Sequence, residues 1–376
     1  MISLESTLLL YNIILLICFL LCRNYERTYK RRPLYSAYFI VFFFSAIRYD
    51  IGADYEGYYK DIELLVYGFQ NLSFSESLGI AFLQGIEPLY FVIVYLCHYL
   101  TETCALVYAV YSALSLFFLY KALDKYNAHK WGLMLLFLTG LLFNMWDALR
   151  QSLSIPIVLL SMYYIDMRDL KKFSALVLLA FTAHYSALIF ITAFFFAKIK
   201  TNKAITIGIC LLLLCMAVFN VFVNASAWMT SIIPYYSEIY MSRDMYLESY
   251  SFRSPSYLFE CLWLMFIIAA TDNKNFKYRN LIGIGTILFI VSGGTLNIFR
   301  MALYFISAEL ILFPSIIEKS KTIKPLRLAI TVFLFMYFIL FNIHILSTTY
   351  KGCSPYETVF SKEFVKKEFR LRDYKN

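Results

Sequence analysis

The chain has 376 residues, of which 61% are hydrophobic and 16% charged, with a mean hydropathy of +0.65. Soluble domains carry nearer a quarter charged residues, so a water-soluble globular fold is excluded, and length counts membrane crossings rather than domains. The net charge of +9 lies mainly in short loops between apolar runs, where it reports topology and not nucleic-acid binding.

The first apolar segment, STLLLYNIILLICFLLC, ends in RNYERTYKRR. A cleavable signal peptide has its positive charge ahead of the apolar core, so this reversed order reads as an uncleaved first span. Further apolar segments follow at 34–47, 87–121, 131–146, 151–166, 173–197, 204–223, 257–271, 281–317 and 326–346. Basic loops at 23–32, 121–130, 168–172, 198–203, 274–279 and 319–327 are placed in the cytoplasm by the positive-inside rule. The 281–317 run is then long enough to cross twice. The 173–197 run goes out and back, turning near His184, as two short spans or a re-entrant pair. In 87–121, CALVYAVYSALSLFFLY is the span, and EPLYFVIVYLCHYL precedes it as a re-entrant or interfacial helix.

The resulting expectation is an all-α, polytopic integral membrane protein with about twelve crossings plus that re-entrant helix. Residues 1–346 form a single membrane domain with two sizeable extracytoplasmic loops, 48–86 and 224–256, and 347–376 is a polar tail. The chain has eight cysteines but no CxxC pair, so neither a metal site nor a disulfide framework is implied.

Under this topology the notable polar residues collect on the outer face. Arg48 and Asp54 open the first external loop. Asp147, Arg150 and Gln151 lie in FNMWDALRQSLS, and His184 lies in AFTAHYSAL. Asn297, Arg300 and Tyr304 lie in GGTLNIFRMALYF, where Arg300 and Tyr304 share a helix face. Trp146 and Trp228 read as interface anchors. Arginines inside apolar sequence are costly and tend to mark sites, and guanidinium forks suit phosphate oxygens. The tyrosines of PYYSEIYMSRDMYLESYSF, around Arg243, suit sugar stacking. A polyprenyl-diphosphate-linked glycan meets both demands, with the diphosphate at headgroup level and the sugars outside.

Several short elements resemble, in order, those of the EpsG family of Wzy-like bacterial polysaccharide polymerases. They are RYDIGADYEGYY, IEPLYFVI, LRQSLSIPIVLLSMYY, FSALVLLAFTAHYSALIFI, NIFRMALYF and SPYETVF, spanning about residues 5 to 360. Ala53 stands where the family often has a hydroxyl residue, and Pro156 follows where an alanine is common nearby. The resemblance implies a multi-pass glycosyltransferase of the bacterial cytoplasmic membrane. It would move a glycan from its polyprenyl-diphosphate carrier onto another lipid-linked repeat, with no cofactor, no essential metal and no nucleic acid. A flippase and a chain-length regulator of the same pathway are the expected protein partners. On this reading Arg48, Arg150 and Arg300 meet the diphosphate, and His184 or Asp54 takes the acceptor proton. Tyr55, Gln151, Tyr304 and Arg243 contact the sugars. A flippase or an export subunit is the alternative. An acyltransferase is disfavoured because no acid adjoins His184 in sequence.

Overall fold

The computed structural model describes residues 3–101, 104–219, 222, 255–292, 296–347 and 352–360. Its regular elements there are helical, as expected of a chain that must satisfy its own backbone groups in a bilayer. Loop 224–256 and Arg243 and Trp228 within it, like most of the tail, lie outside the described residues. Two compact units emerge. One comprises Met1–Leu160, Leu178–Tyr185 and Leu334–Asn376; the other comprises Ser161–Val177 and Ser186–Phe333.

In the first unit, α1 (Leu4–Thr28) starts where the Ser3 side chain accepts from the Ser6 amide and stops at Tyr29, whose φ is 55°. It packs on α2 (Arg31–Ala46), and α2 packs on α6 (Ala105–Lys125). At one end of these helices Arg31 pairs with Asp124 at 2.9 Å, Lys130 pairs with Glu26, and the Tyr38 hydroxyl meets His129 Nδ1 at 3.0 Å. Basic loops 23–32 and 121–130 therefore gather at one end, as the positive-inside reading requires.

Between α2 and α6, the expected external loop 48–86 is largely helical. It folds as α3 (Tyr55–Asn71) and α4 (Phe74–Leu83). Tyr55, Tyr58, Ile62 and Leu65 form a buried stripe at three- and four-residue spacing along α3. A reciprocal Ser73–Glu76 capping box starts α4. The acids interspersed along α3 obscured this period in the sequence. Next comes α5 (Pro88–His98), with proline at its first position. The run 131–146 is broken into α7 (His129–Leu138) and α8 (Leu141–Asp147) by Gly140, whose φ is 70°. Then α9 (Leu149–Asp166) carries Pro156 inside it.

At the other end of the unit, residues 352–359 are bound to the α2 exit. Arg48 and Thr358 form an antiparallel bridge, the Tyr49 amide donates to Glu357 O at 3.0 Å, and the Val359 amide donates to Ile47 O at 2.9 Å. Tyr356, 1% exposed, packs on Tyr11, Phe44 and Trp146. Trp146 is 4% exposed and donates to Ser45 Oγ at 2.9 Å, so it belongs to the core and is not an interface anchor.

In the second unit α12 (Lys203–Val218), α13 (Pro255–Ala270) and α15 (Leu296–Ile306) pack around α14 (Phe276–Val291). A Cβ on Gly285 would lie 2.9 Å from the Ile306 amide nitrogen, so glycine sets how closely α14 and α15 approach. Trp263 donates to the buried Glu309 carboxylate, at the start of α16 (Glu309–Ser320), at 2.6 Å. α10 (Leu170–Ala183), whose residues from Leu178 on belong to the first unit, ends before His184 and is followed by a 3-10 stretch, Tyr185–Thr192, and the single turn α11 (Ala193–Phe196). The regular α-helix breaks at His184, the residue near which the sequence placed a turn.

Three described helices are long and apolar enough to cross a membrane: α1, α6 and α17 (Lys324–Leu346). The number rises to 5 if each of two bent pairs, Pro255–Ala270 with Asn273–Val291 and Ile298–Ile306 with Glu309–Ser320, is one span. The protein is thus a helical membrane protein. Its described helices do not by themselves reach twelve crossings, because several apolar segments are short or broken.

Candidate active site

The motif after α2 is shaped by its backbone. Asp50 has φ 50° and Gly52 φ 110°. A Cβ on Gly52 would sit 2.9 Å from Trp146 O and 3.0 Å from Asp147 Cα, so only glycine lets the chain pass α8 this closely. The Asp54 amide then donates to Asp147 Oδ1 at 3.1 Å, and α3 begins. The start of α3 is thereby fixed against the α8–α9 corner, one residue away from the start of the Leu-Arg-Gln sequence.

Arg150, in the first turn of α9, donates from Nη1 to Glu87 Oε2 at 2.6 Å. The other oxygen of the same carboxylate, Oε1, lies 2.7 Å from His184 Nδ1. Glu87 is the residue before Pro88 at the head of α5 and is 2% exposed. Burial alone would push its pKa up, but the His184 hydrogen bond and the Arg150 charge outweigh that and hold it below the usual glutamate value. The Arg150 guanidinium lies over the rings of Tyr58, at 5.3 Å, and Tyr90, at 5.5 Å. Its side chain keeps 24% exposure and that of His184 16%, against 3% for Glu87. Asp61, on α3, feels Arg150, Glu87 and Asp54; burial first, then the two neighbouring acids, raise its pKa.

Glu87, Arg150 and His184, from separate parts of the chain, thus meet directly in the first unit, with Asp61 and Asp54 within their electrostatic reach. An imidazole whose Nδ1 proton is held by a buried carboxylate accepts a proton at Nε2, and the carboxylate stabilises the imidazolium that results. The arginine supplies fixed positive charge beside that base.

The remaining expected residues are placed differently. Arg48 is 1% exposed, with Nη1 donating to Ser45 O and, at 3.1 Å, to Ser112 Oγ, and its guanidinium over the Tyr108 and Trp146 rings. Tyr55 is buried and stacked on Tyr108, ring centroids 4.4 Å apart. Gln151 is buried as well. Arg300, half-buried, and Tyr304, fully buried with its hydroxyl 3.1 Å from Ser186 Oγ, belong to the second unit.

Glu87 had no assigned role in the sequence reading, although the motif IEPLYFVI contains it. The available signal was a carboxylate directly ahead of a proline-started apolar helix, a costly place for a charge without a partner. The acid missing beside His184 in sequence is supplied by Glu87 across 97 residues, so that ground for disfavouring an acyltransferase falls away. Among the described residues no three His, Cys, Asp or Glu side chains gather as a metal-holding group.

The sequence model of the EpsG family matches residues 31–358. The chain belongs to the EpsG family. The match takes in Arg48, Glu87, Arg150, His184 and Arg300, and it ends inside the docked segment 352–359. EpsG membership is consistent in general with a membrane-bound polysaccharide polymerase of the Wzy-like kind. Neither a curated protein nor a solved structure matches this EpsG chain.

Proposed function

We propose that this EpsG protein is an extracytoplasmic glycosyltransferase that polymerises polyprenyl-diphosphate-linked repeat units into a surface polysaccharide. The observation that carries the reading is the Glu87 carboxylate shared between Arg150 and His184. It joins a proton acceptor to a cation at one point of an EpsG membrane scaffold, which is what transfer from a diphosphate leaving group needs.

In the proposed step, His184 Nε2 takes the proton of an acceptor sugar hydroxyl. The hydroxyl oxygen forms a bond to the donor's anomeric carbon, whose bond to the carrier phosphate oxygen breaks. The electron pair of that bond leaves on the polyprenyl diphosphate. Negative charge grows there, and Arg150, preorganised by Glu87 and two aromatic faces, stabilises it in the transition state more than in the ground state. Of the guanidinium's five donors, Glu87 uses few. Arg300, in the second unit, is kept as a diphosphate-binding residue on sequence grounds alone. We give Arg48 a supporting role behind the site because its side chain is sealed from solvent. Asp54 and Asp61 are the candidates for sugar hydroxyls, together with the tyrosines and Arg243 of loop 224–256. The multi-pass placement in a bacterial cytoplasmic membrane, with about twelve crossings, is part of this reading.

Polymer length and the lipid-linked precursor pool, measured in a deletion strain complemented with wild type, Glu87→Gln or Arg150→Ala, test the proposal. Loss of long polymer with single repeats accumulating on the outer face supports it. Repeats accumulating toward the cytoplasm would mean a flippase. Single repeats lacking an acyl substituent, with polymer length normal, would mean an acyltransferase built on the same His–Glu pair.

A further inference from the structure

Away from Glu87, the first unit has a small, partly open pocket of about 20 Å³, where Arg48, Ser45, Ser112, Ser115 and Ser152 stand among the apolar surfaces of Trp146 and its aliphatic neighbours. Arg48 is 1% exposed and forms no ion pair with a carboxylate among the described residues. Its Nε–H has no protein acceptor there. A buried charge without an opposite charge is costly, and the Tyr108 and Trp146 faces offset only part of that cost.

The hydroxyls around it sharpen the chemistry. Ser112 Oγ donates to Tyr108 O at 2.8 Å, and Ser152 Oγ donates to Leu149 O at 2.6 Å, so both protons are spent. The Ser115 hydroxyl lies 3.3 Å from Ser152 Oγ, where it acts as donor because the Ser152 proton is committed elsewhere. Ser45 Oγ accepts from the Trp146 indole at 2.9 Å, which turns its own O–H elsewhere. The lining therefore offers a cation, a guanidinium N–H and a serine O–H, and it contributes no negative charge. Such a cavity calls for an occupant that accepts hydrogen bonds and carries one negative charge. The volume admits something the size of a water molecule. A phosphate or diphosphate is larger than this volume.

We propose that this cavity binds a monovalent anion of halide size, chloride in ordinary media, as the counter-ion of Arg48. The anion would hold Arg48 in place, and with it the bridge to Thr358 that ties residues 352–359 to the α2 exit. The site is separate from the Glu87–Arg150–His184 group and does not depend on the polymerase reading.

Thermal unfolding of the full chain in detergent tests it, with sodium chloride, bromide or gluconate at equal ionic strength. Chloride and bromide are expected to raise the midpoint by a few degrees over gluconate, with a saturable dependence on halide concentration. Ser115→Val, which fills the cavity without touching the guanidinium, is expected to remove that dependence, as is Arg48→Met if it folds. A midpoint indifferent to halide, or the same halide dependence in Ser115→Val, would overturn the proposal and leave water as the occupant. Because the readout is stability, a negative result leaves the proposed glycosyl transfer to its own test.

Discussion

Glu87 puts one carboxylate oxygen on Arg150 and the other on His184, so replacing it disturbs two partners together. Glu87→Gln keeps the shape and loses the charge. Polymer output is expected to fall by about 10²-fold or more, the usual scale for a positioned acid–base group, and His184→Ala to do the same; normal polymer length in either strain would remove that residue from the mechanism. The carboxylate also gives a pH signature. Its folded pKa is lowered from 4.5, so its stabilising contribution is fully present above about pH 4.5 and is lost as pH falls through the lower folded value. Unfolding midpoints of wild type and Glu87→Gln are expected to differ at neutral pH and to converge in acid below that range. Gly52 makes a prediction of a different kind. Gly52→Ala must place a Cβ against the Trp146 carbonyl at a φ of 110°. It is expected to cost at least about 1 kcal/mol, read as a lower unfolding midpoint.

The elements were legible in the sequence in proportion to how much of their pattern is local. α1, α2, α6 and α17 follow apolar runs directly, since a bilayer-length stretch without charge has few alternatives. The helix break at His184 falls midway along a run flanked by charge at both ends. α3 was concealed because half of its buried stripe is tyrosine and acids are interspersed along it, a composition that reads equally as a solvated loop. The pairing of Glu87 with His184 spans 97 residues, and no local period encodes it. Residues 352–359 were read as the start of a polar tail, although Tyr356 is as buried as any core aromatic. Tyr356→Ala is therefore expected to destabilise the fold by about 3 kcal/mol, as for other large-to-small aromatic replacements. A stability change near zero in detergent would show that this packing is dispensable.

On the scale of the whole molecule, charge and helix length give different weights to the topology. Basic loops 23–32 and 121–130 meet at one end of the first unit through the Arg31–Asp124 and Lys130–Glu26 pairs. The EpsG-family match runs continuously over both units, from 31 to 358. Single cysteines introduced into the loops at 168–172 and 274–279 of a cysteine-free variant are expected to resist a membrane-impermeant thiol reagent in intact cells. A cysteine at Glu357 is expected to differ, reacting from outside once the docked segment is loosened. Labelling of either basic loop from outside would invert the arrangement and with it the proposed location of the chemistry.

The docking of residues 352–359 also has a consequence for how the protein is made. Tyr11 donates to Cys353 O across 342 positions of chain, and ribosomes add roughly 5–20 residues per second. α1 thus waits roughly 20 to 70 s for the segment that carries Cys353. Through that interval the Arg48 corner stands open, with Tyr11 and Trp146 lacking their later cover. A nascent chain halted before residue 352 therefore carries every group of the Glu87 cluster and still cannot close the wall behind it. Quality control in the membrane has a long window in which to recognise such a chain as unfinished.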